Sequence, residues 1–189
     1  MTDVIERGNT QLALGSNLSS SIVFLVWAYS SIRAKNLSKH LGSNLYLINF
    51  KFKYKFYSPI KYILLFMKTF HILKKEKPEI IICQIPPIFC ALSAIVCSYL
   101  LNLKSTIVID VHTMYVGETM KYLPPVIRQI FDIILGKYFI RASRILNKAT
   151  MRRASIIVVT NVELQNDLFD DYGIRSIILA DALPDLVSD

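Results

Sequence analysis

Two ionisable side chains lie close together at the end of a run typical of a β-strand. Asp110 ends the apolar run Thr106 to Asp110, and His112 follows two residues later. Because alternate residues of a strand project to the same side, the carboxylate and the imidazole can share one face. A histidine beside a carboxylate can serve as a general base near neutral pH. The pair therefore indicates either acid–base catalysis by His112 and Asp110 or an aspartate that only caps the following loop.

Polar residues follow the other apolar runs as well. Ligands of parallel sheets bind beyond the carboxyl ends of the strands, so these residues are candidates for a binding site. Ser30 and Ser31 begin a predicted helix whose free amides could hold a phosphate with Arg33 nearby; the alternative is simple capping of that helix by serine. The candidate substrate-binding residues are Tyr29, Ser30, Ser31, Arg33, Gln84, Thr113, Asn161 and Glu163.

Several common cofactor and catalytic motifs are missing from the sequence. Neither GxGxxG, GxxxxGK[ST] nor GxSxG occurs, which argues against NAD binding, nucleotide hydrolysis and serine hydrolysis. The three cysteines and three histidines form no CxxC or HxxxH pair, so we expect no metal site and no cofactor. Cys90 and Cys97 lie seven residues apart on one face of a predicted helix, where buried small side chains are expected.

Apolar runs alternate with helical segments along the chain, and this order predicts the fold. Strands of five to seven residues between helices are typical of a parallel sheet covered on both faces. We therefore predict an α/β, Rossmann-like doubly wound parallel sheet in a single domain. The predicted strands are 22–28, 45–50, 79–83, 106–110, 156–160 and 176–180, and the predicted helices are 31–41, 58–75, 86–101, about 125–153 and 161–172.

Neither the first residues nor the apolar runs have the pattern of a secretory signal or of a membrane-spanning segment. Residues 1–21 contain acids and lack a long apolar core, which predicts a mobile arm rather than a secretory signal. No uninterrupted apolar run reaches the roughly 18 to 20 residues that span a bilayer. The nearest, 85–101, is interrupted by prolines and serines.

The positive charge is concentrated towards the N-terminus. The net charge is +8, and residues 1–80 hold 12 basic and 4 acidic side chains, against 3 and 7 in residues 151–189. The segment Lys51 to Lys77 interleaves lysines with aromatic residues, which fits nucleic-acid binding, an anionic membrane surface, or a packed helix with solvated lysines. The nucleic-acid interpretation rests on charge alone, so we expect no nucleic-acid partner.

Four short motifs follow one another along the chain. They are Gln84 to Pro87, Asp110 to Thr113, Val159 to Asn161 with Glu163, and Leu183 to Asp185. In their order and spacing they resemble the N-terminal half of GT-B glycosyltransferases of the family 4 type. The same pattern is similar to the lipid-linked oligosaccharide β-mannosyltransferases. The resemblance implies that residues 22–183 form the N-terminal, acceptor-binding domain of a GT-B fold and that residues 184–189 begin an interdomain linker.

The resemblance also implies an activity and its partners. A C-terminal, donor-binding half binds the nucleotide sugar in that family; it lies outside this sequence, so we expect a further domain or a separate donor-binding subunit. We expect glycosyl transfer to a lipid-linked or polysaccharide acceptor on the cytoplasmic, inner face of the membrane, with His112 and Asp110 nearest the acceptor hydroxyl. The chain alone is expected to be inactive. The alternative is a noncatalytic membrane-surface or partner-binding module derived from that fold.

Overall fold

Seven strands form one sheet within the residues that the computed structural model describes, which are 6–7, 22–50, 58–112 and 145–180. The order is β1-β3-β2-β4-β5-β6-β7; the first strand pairs antiparallel at the edge, and the other six run parallel. This confirms the predicted α/β, Rossmann-like parallel sheet. The strands are β1 (Glu6–Arg7), β2 (Ile22–Val26), β3 (Asn44–Leu47), β4 (Ile80–Ile85), β5 (Thr106–Val111), β6 (Ile156–Val159) and β7 (Ile177–Ile178).

Helices connect the parallel strands, and local capping signals set their ends. Ser31 caps the first helix and Asn161 the last, and each of these helices ends at a glycine in the left-handed region, Gly42 at φ 61° and Gly173 at φ 65°. All four boundaries agree with the predicted helix ranges. The two helices end at these glycines because glycine adopts positive φ without steric cost. The helices are α1 (Ile32–Leu41), α2 (Ser58–Glu76), α3 (Ile88–Leu100), α4 (145–151) and α5 (Val162–Tyr172).

The two faces of the sheet are covered differently. In β2, Val23 and Leu25 enter a large core with side chains of α2, α3 and α5, whereas Phe24 and Val26 enter a smaller core with Ala34 of α1. Alternation along the strand separates the two cores. Within the described residues, α1 is therefore the helix packed on the second face, and it brings its first turn to the carboxyl ends of the strands.

The three cysteines lie in the large core. Cys83 of β4 and both cysteines of α3, Cys90 and Cys97, are fully buried, which confirms the expectation for that helix face. A hydrogen bond with Cys90, together with burial, raises the pKa of the Cys83 thiol well above its ordinary value. Burial, and to a lesser degree Cys83, raises the pKa of Cys97 to about 12. At neutral pH Cys83 and Cys97 are therefore protonated thiols, and all three cysteines pack as small buried side chains.

Several strand ends differ from the prediction. β4 continues through Gln84 and Ile85, which pair with Asp110 and Val111 of β5, whereas the predicted strand stops at Cys83. The polar Gln84 does not end the strand because its side-chain amide hydrogen-bonds to Asp110 within the sheet. β2, β3, β6 and β7 are shorter than predicted; β3 ends at Leu47 because its partner β2 ends at the paired residue.

Some predictions fall largely outside the described residues. Of the arm 1–21, the structure describes residues 6–7, which form the antiparallel edge strand, and of the predicted long helix it describes the stretch from residue 145. Residues 184–189 are outside it as well. None of the helices in the described ranges is both long enough and apolar enough to cross a bilayer.

Candidate functional site

The candidate residues gather at the carboxyl edge of the sheet. Parallel strands end on the same side, so the segments after β2, β4, β5 and β6 converge there. At this edge some charged groups are buried and others are exposed. The buried groups bind neighbouring elements to one another, and the exposed groups face solvent.

Arg33 and Asp110 form a buried ion pair at this edge. The Arg33 Nη2 atom lies 2.8 Å from Asp110 Oδ1, and the Nε atom lies 3.1 and 3.0 Å from Oδ1 and Oδ2. The two side chains are only 5% and 2% exposed. This forked geometry gives charge-assisted hydrogen bonds, which are shorter and stronger than neutral ones.

Two further groups also bind to this ion pair. Gln84 Nε2 donates to Asp110 Oδ2 at 3.2 Å from the adjacent strand, and Arg33 Nη2 donates to the Leu179 carbonyl oxygen at 3.0 Å. The network therefore joins α1, β4, β5 and the chain just beyond β7. Sequence reasoning missed Leu179, because a backbone carbonyl leaves no signal in the amino-acid type.

This burial changes the environment of three predicted site residues. Asp110, Arg33 and Gln84 were expected beside the substrate, whereas the structure places them below the surface, with relative exposures of 1%, 8% and 6%. Their predicted catalytic and substrate-binding roles stay predictions. The geometry directly shows a structural role, because Arg33 and Gln84 both donate hydrogen bonds to the Asp110 carboxylate.

His112 belongs to the exposed groups. Its backbone N–H donates to the carbonyl oxygen of Ile85 at 3.1 Å, which fixes the turn after β5 to the end of β4. The imidazole itself is exposed and has no hydrogen-bond partner among the described residues. The Asp110 carboxylate does not bind the ring, although the two can share one face of the strand, because it is directed to Arg33 and Gln84.

The segment after β2 contributes a helix cap and exposed polar groups. Ser31 Oγ accepts a hydrogen bond from the Ala34 N–H at 3.1 Å, which is the capping role that the sequence left open beside phosphate binding. Ser30 is exposed, and Tyr29 is 44% exposed. One serine hydroxyl is thus used within the fold, while its neighbour faces solvent.

The segment after β6 follows the same pattern. Asn161 Oδ1 accepts from the Leu164 N–H at 2.8 Å and so caps α5, while Glu163 lies exposed in the first turn of that helix. An acidic residue there is favoured by the helix dipole without any ligand. Thr113 lies outside the described residues.

The rest of the described ranges holds a shallow depression but no cluster of metal ligands. No group of three or more potential metal ligands lies together in them. A shallow depression of about 330 Å³ lies between residues 151–157 and 174–177, at the amino ends of β6 and β7. It is on the opposite edge of the sheet and is not part of the candidate site.

The chain matches no family model and no curated protein. The functional argument therefore depends on the motifs, the fold and the geometry of the carboxyl edge.

Replacing the two adjacent serines separates capping from a surface role. Ser31→Ala removes the N-cap acceptor of α1, so the free energy of unfolding is expected to fall by about 1 kcal/mol. Ser30→Ala should leave it nearly unchanged, because that exposed residue is not the N-cap. Urea unfolding of both variants measures the difference. Equal effects of the two substitutions would contradict this assignment.

Proposed function

We propose that this chain is the acceptor-binding half of a glycosyltransferase. The reaction transfers a sugar from a nucleotide-sugar donor to a lipid-linked or polysaccharide acceptor, and a donor-binding half completes the site from outside these 189 residues. Two things support the proposal: the four motifs in their order and spacing, and a parallel sheet whose carboxyl edge carries those polar residues of the first three motifs that the structure describes. The observation that carries it is the exposed imidazole of His112 at that edge.

The proposed chemistry assigns one proton transfer to His112. The acceptor hydroxyl oxygen forms a bond to the anomeric carbon of the donor sugar, and the bond from that carbon to the nucleotide diphosphate breaks. His112 takes the hydroxyl proton as the oxygen attacks, and the diphosphate leaves with the electron pair. A positioned general base of this kind contributes roughly 100- to 10,000-fold to a rate.

In this proposal the buried ion pair acts through position. Asp110 and Arg33 hold β5 against α1, and the Ile85 carbonyl holds the His112 backbone. The carboxylate does not contact the imidazole, so Asp110 is a positioning residue for His112. An acceptor would meet His112 together with the exposed Tyr29, Ser30 and Glu163.

His112→Ala tests the proposed base in the complete enzyme. The chain is produced together with its donor-binding half, and transfer from labelled nucleotide sugars to endogenous membrane acceptors is measured. Turnover of the variant is expected to fall by about 100- to 10,000-fold, because the proton acceptor is lost. The melting temperature should stay close to that of the parent, since the ring is exposed.

The matched control is His40→Ala, which removes another exposed histidine, from the last turn of α1. Its activity should equal that of the parent enzyme. Turnover unchanged by His112→Ala would exclude the general-base role, and an absence of transfer by the verified two-half complex would argue against the enzyme.

A second candidate function, binding to an anionic membrane surface, is favoured by the outer face of α2. Ile60, Ile63 and Met67 lie at helical spacing on that face with exposures of 48%, 61% and 57%. Exposed Lys74 and Lys75 follow in the last turn. Apolar side chains flanked by lysines suit the headgroup region of an anionic bilayer. Peripheral attachment to the cytoplasmic face is compatible with either function.

Flotation with vesicles containing anionic lipid tests this surface. Ile63→Glu with Met67→Glu is expected to lower the bound fraction about tenfold, because two exposed apolar side chains that would enter the headgroup region are replaced by negative charges. Salt should also weaken binding of the parent chain, since exposed charges are screened beyond about 8 Å at physiological ionic strength.

Phe169→Glu provides the control, because Phe169 is an exposed apolar residue of α5. Equal losses in the two variants would show that binding does not depend on the α2 face. No flotation of the parent chain would exclude the membrane surface as a partner.

A further inference from the structure

Three aromatic rings from separate parts of the chain meet beside the carboxyl edge. Trp27 follows β2, Tyr62 lies near the start of α2, and Phe89 lies in the first turn of α3. The Trp27 and Tyr62 ring centroids are 6.2 Å apart, and those of Tyr62 and Phe89 are 5.0 Å apart. We call these three residues the aromatic shelf.

One ring of the shelf is buried, and the other two are partly exposed to solvent. Trp27 is only 6% exposed, and its indole Nε1–H donates to Thr69 Oγ1 at 3.1 Å. Tyr62 and Phe89 are 37% and 41% exposed. The buried, hydrogen-bonded Trp27 ring therefore contacts Tyr62, Tyr62 in turn contacts Phe89, and these two outer rings display aromatic surface to solvent. Tilted contacts of this type are favourable arrangements for aromatic pairs and restrain the outer rings.

The position of the shelf connects it with the proposed active site. Phe89 lies four residues beyond Ile85, whose carbonyl oxygen holds His112, and Tyr29 lies two residues beyond Trp27. The large core does not use the exposed parts of Tyr62 and Phe89. A ligand at the carboxyl edge would meet aromatic surface on one side and the polar residues of the edge on the other.

We propose that the aromatic shelf binds a sugar ring of the acceptor. This inference rests on the proposed function. A pyranose has a flat C–H face, which can cover an aromatic ring, and a rim of hydroxyl groups, which can hydrogen-bond to Tyr62 and Ser30. A hydrocarbon chain would cover the rings equally well but would leave these hydroxyl groups without partners. The combination of rigid rings and adjacent hydroxyls favours the saccharide.

The single tryptophan makes binding measurable without catalysis. Trp27 is the only tryptophan of the chain, so its emission reports on the shelf alone. The 189-residue chain is titrated with manno-, cello- and N-acetylchito-oligosaccharides and, separately, with farnesyl phosphate. At least one oligosaccharide is expected to give a saturable change. Phe89→Leu should weaken that binding about tenfold by removing the stacking surface while keeping an apolar side chain. Phe169→Leu on α5 is the matched control and should bind as the parent does.

The outcomes separate the shelf from the enzyme. A response to farnesyl phosphate alone, or no saturable response to any oligosaccharide, overturns the shelf proposal. Saturable sugar binding that Phe89→Leu leaves unchanged also overturns it. In the two-half enzyme, Phe89→Leu should raise the acceptor KM with little effect on kcat. Sugar binding by the shelf without transfer in that enzyme would refute the proposed function and leave the shelf as a saccharide site.

Discussion

The arrangement of the carboxyl edge depends on the buried ion pair of Arg33 and Asp110. Each of these side chains would be very costly inside the protein alone, because an unpaired buried charge loses its hydration without compensation. Together with Gln84 and the Leu179 carbonyl they satisfy one another. The pair therefore requires α1, two central strands and the segment after β7 to take one relative position.

This constraint also holds the exposed groups at the same edge in place, as the proposed function requires. Asp110 is held by donors from two elements, so β5 ends at a defined place and the turn carrying His112 is fixed to Ile85. On the other face of the sheet, the Trp27 hydrogen bond to Thr69 plays a similar part for the aromatic shelf. Buried polar contacts set the positions, and exposed side chains next to them remain available for recognition.

Local features of the fold could be predicted from the sequence, whereas contacts across the chain could not. Ser31, Gly42, Asn161 and Gly173 act within one or two turns of their own helices, so their residue types suffice to predict the caps. The alternation of apolar runs and helices likewise predicts a parallel sheet. Arg33 and Asp110 are 77 residues apart, and only the strand order brings them together. The burial of this arginine and this aspartate could not be predicted, because residue types alone give no measure of burial. The aromatic shelf could not be predicted either, because its three members come from separate elements.

A double-mutant cycle on Arg33 and Asp110 tests most directly whether this pair holds the edge together. Arg33→Met, Asp110→Asn and the double variant are compared by urea unfolding at neutral pH. Each single substitution is expected to lower the free energy of unfolding by about 3–5 kcal/mol, because it leaves its buried partner uncompensated. The double variant should lose clearly less than the sum of the two. Strictly additive losses, or single losses within about 0.5 kcal/mol of zero as at ordinary surface positions, would contradict the account.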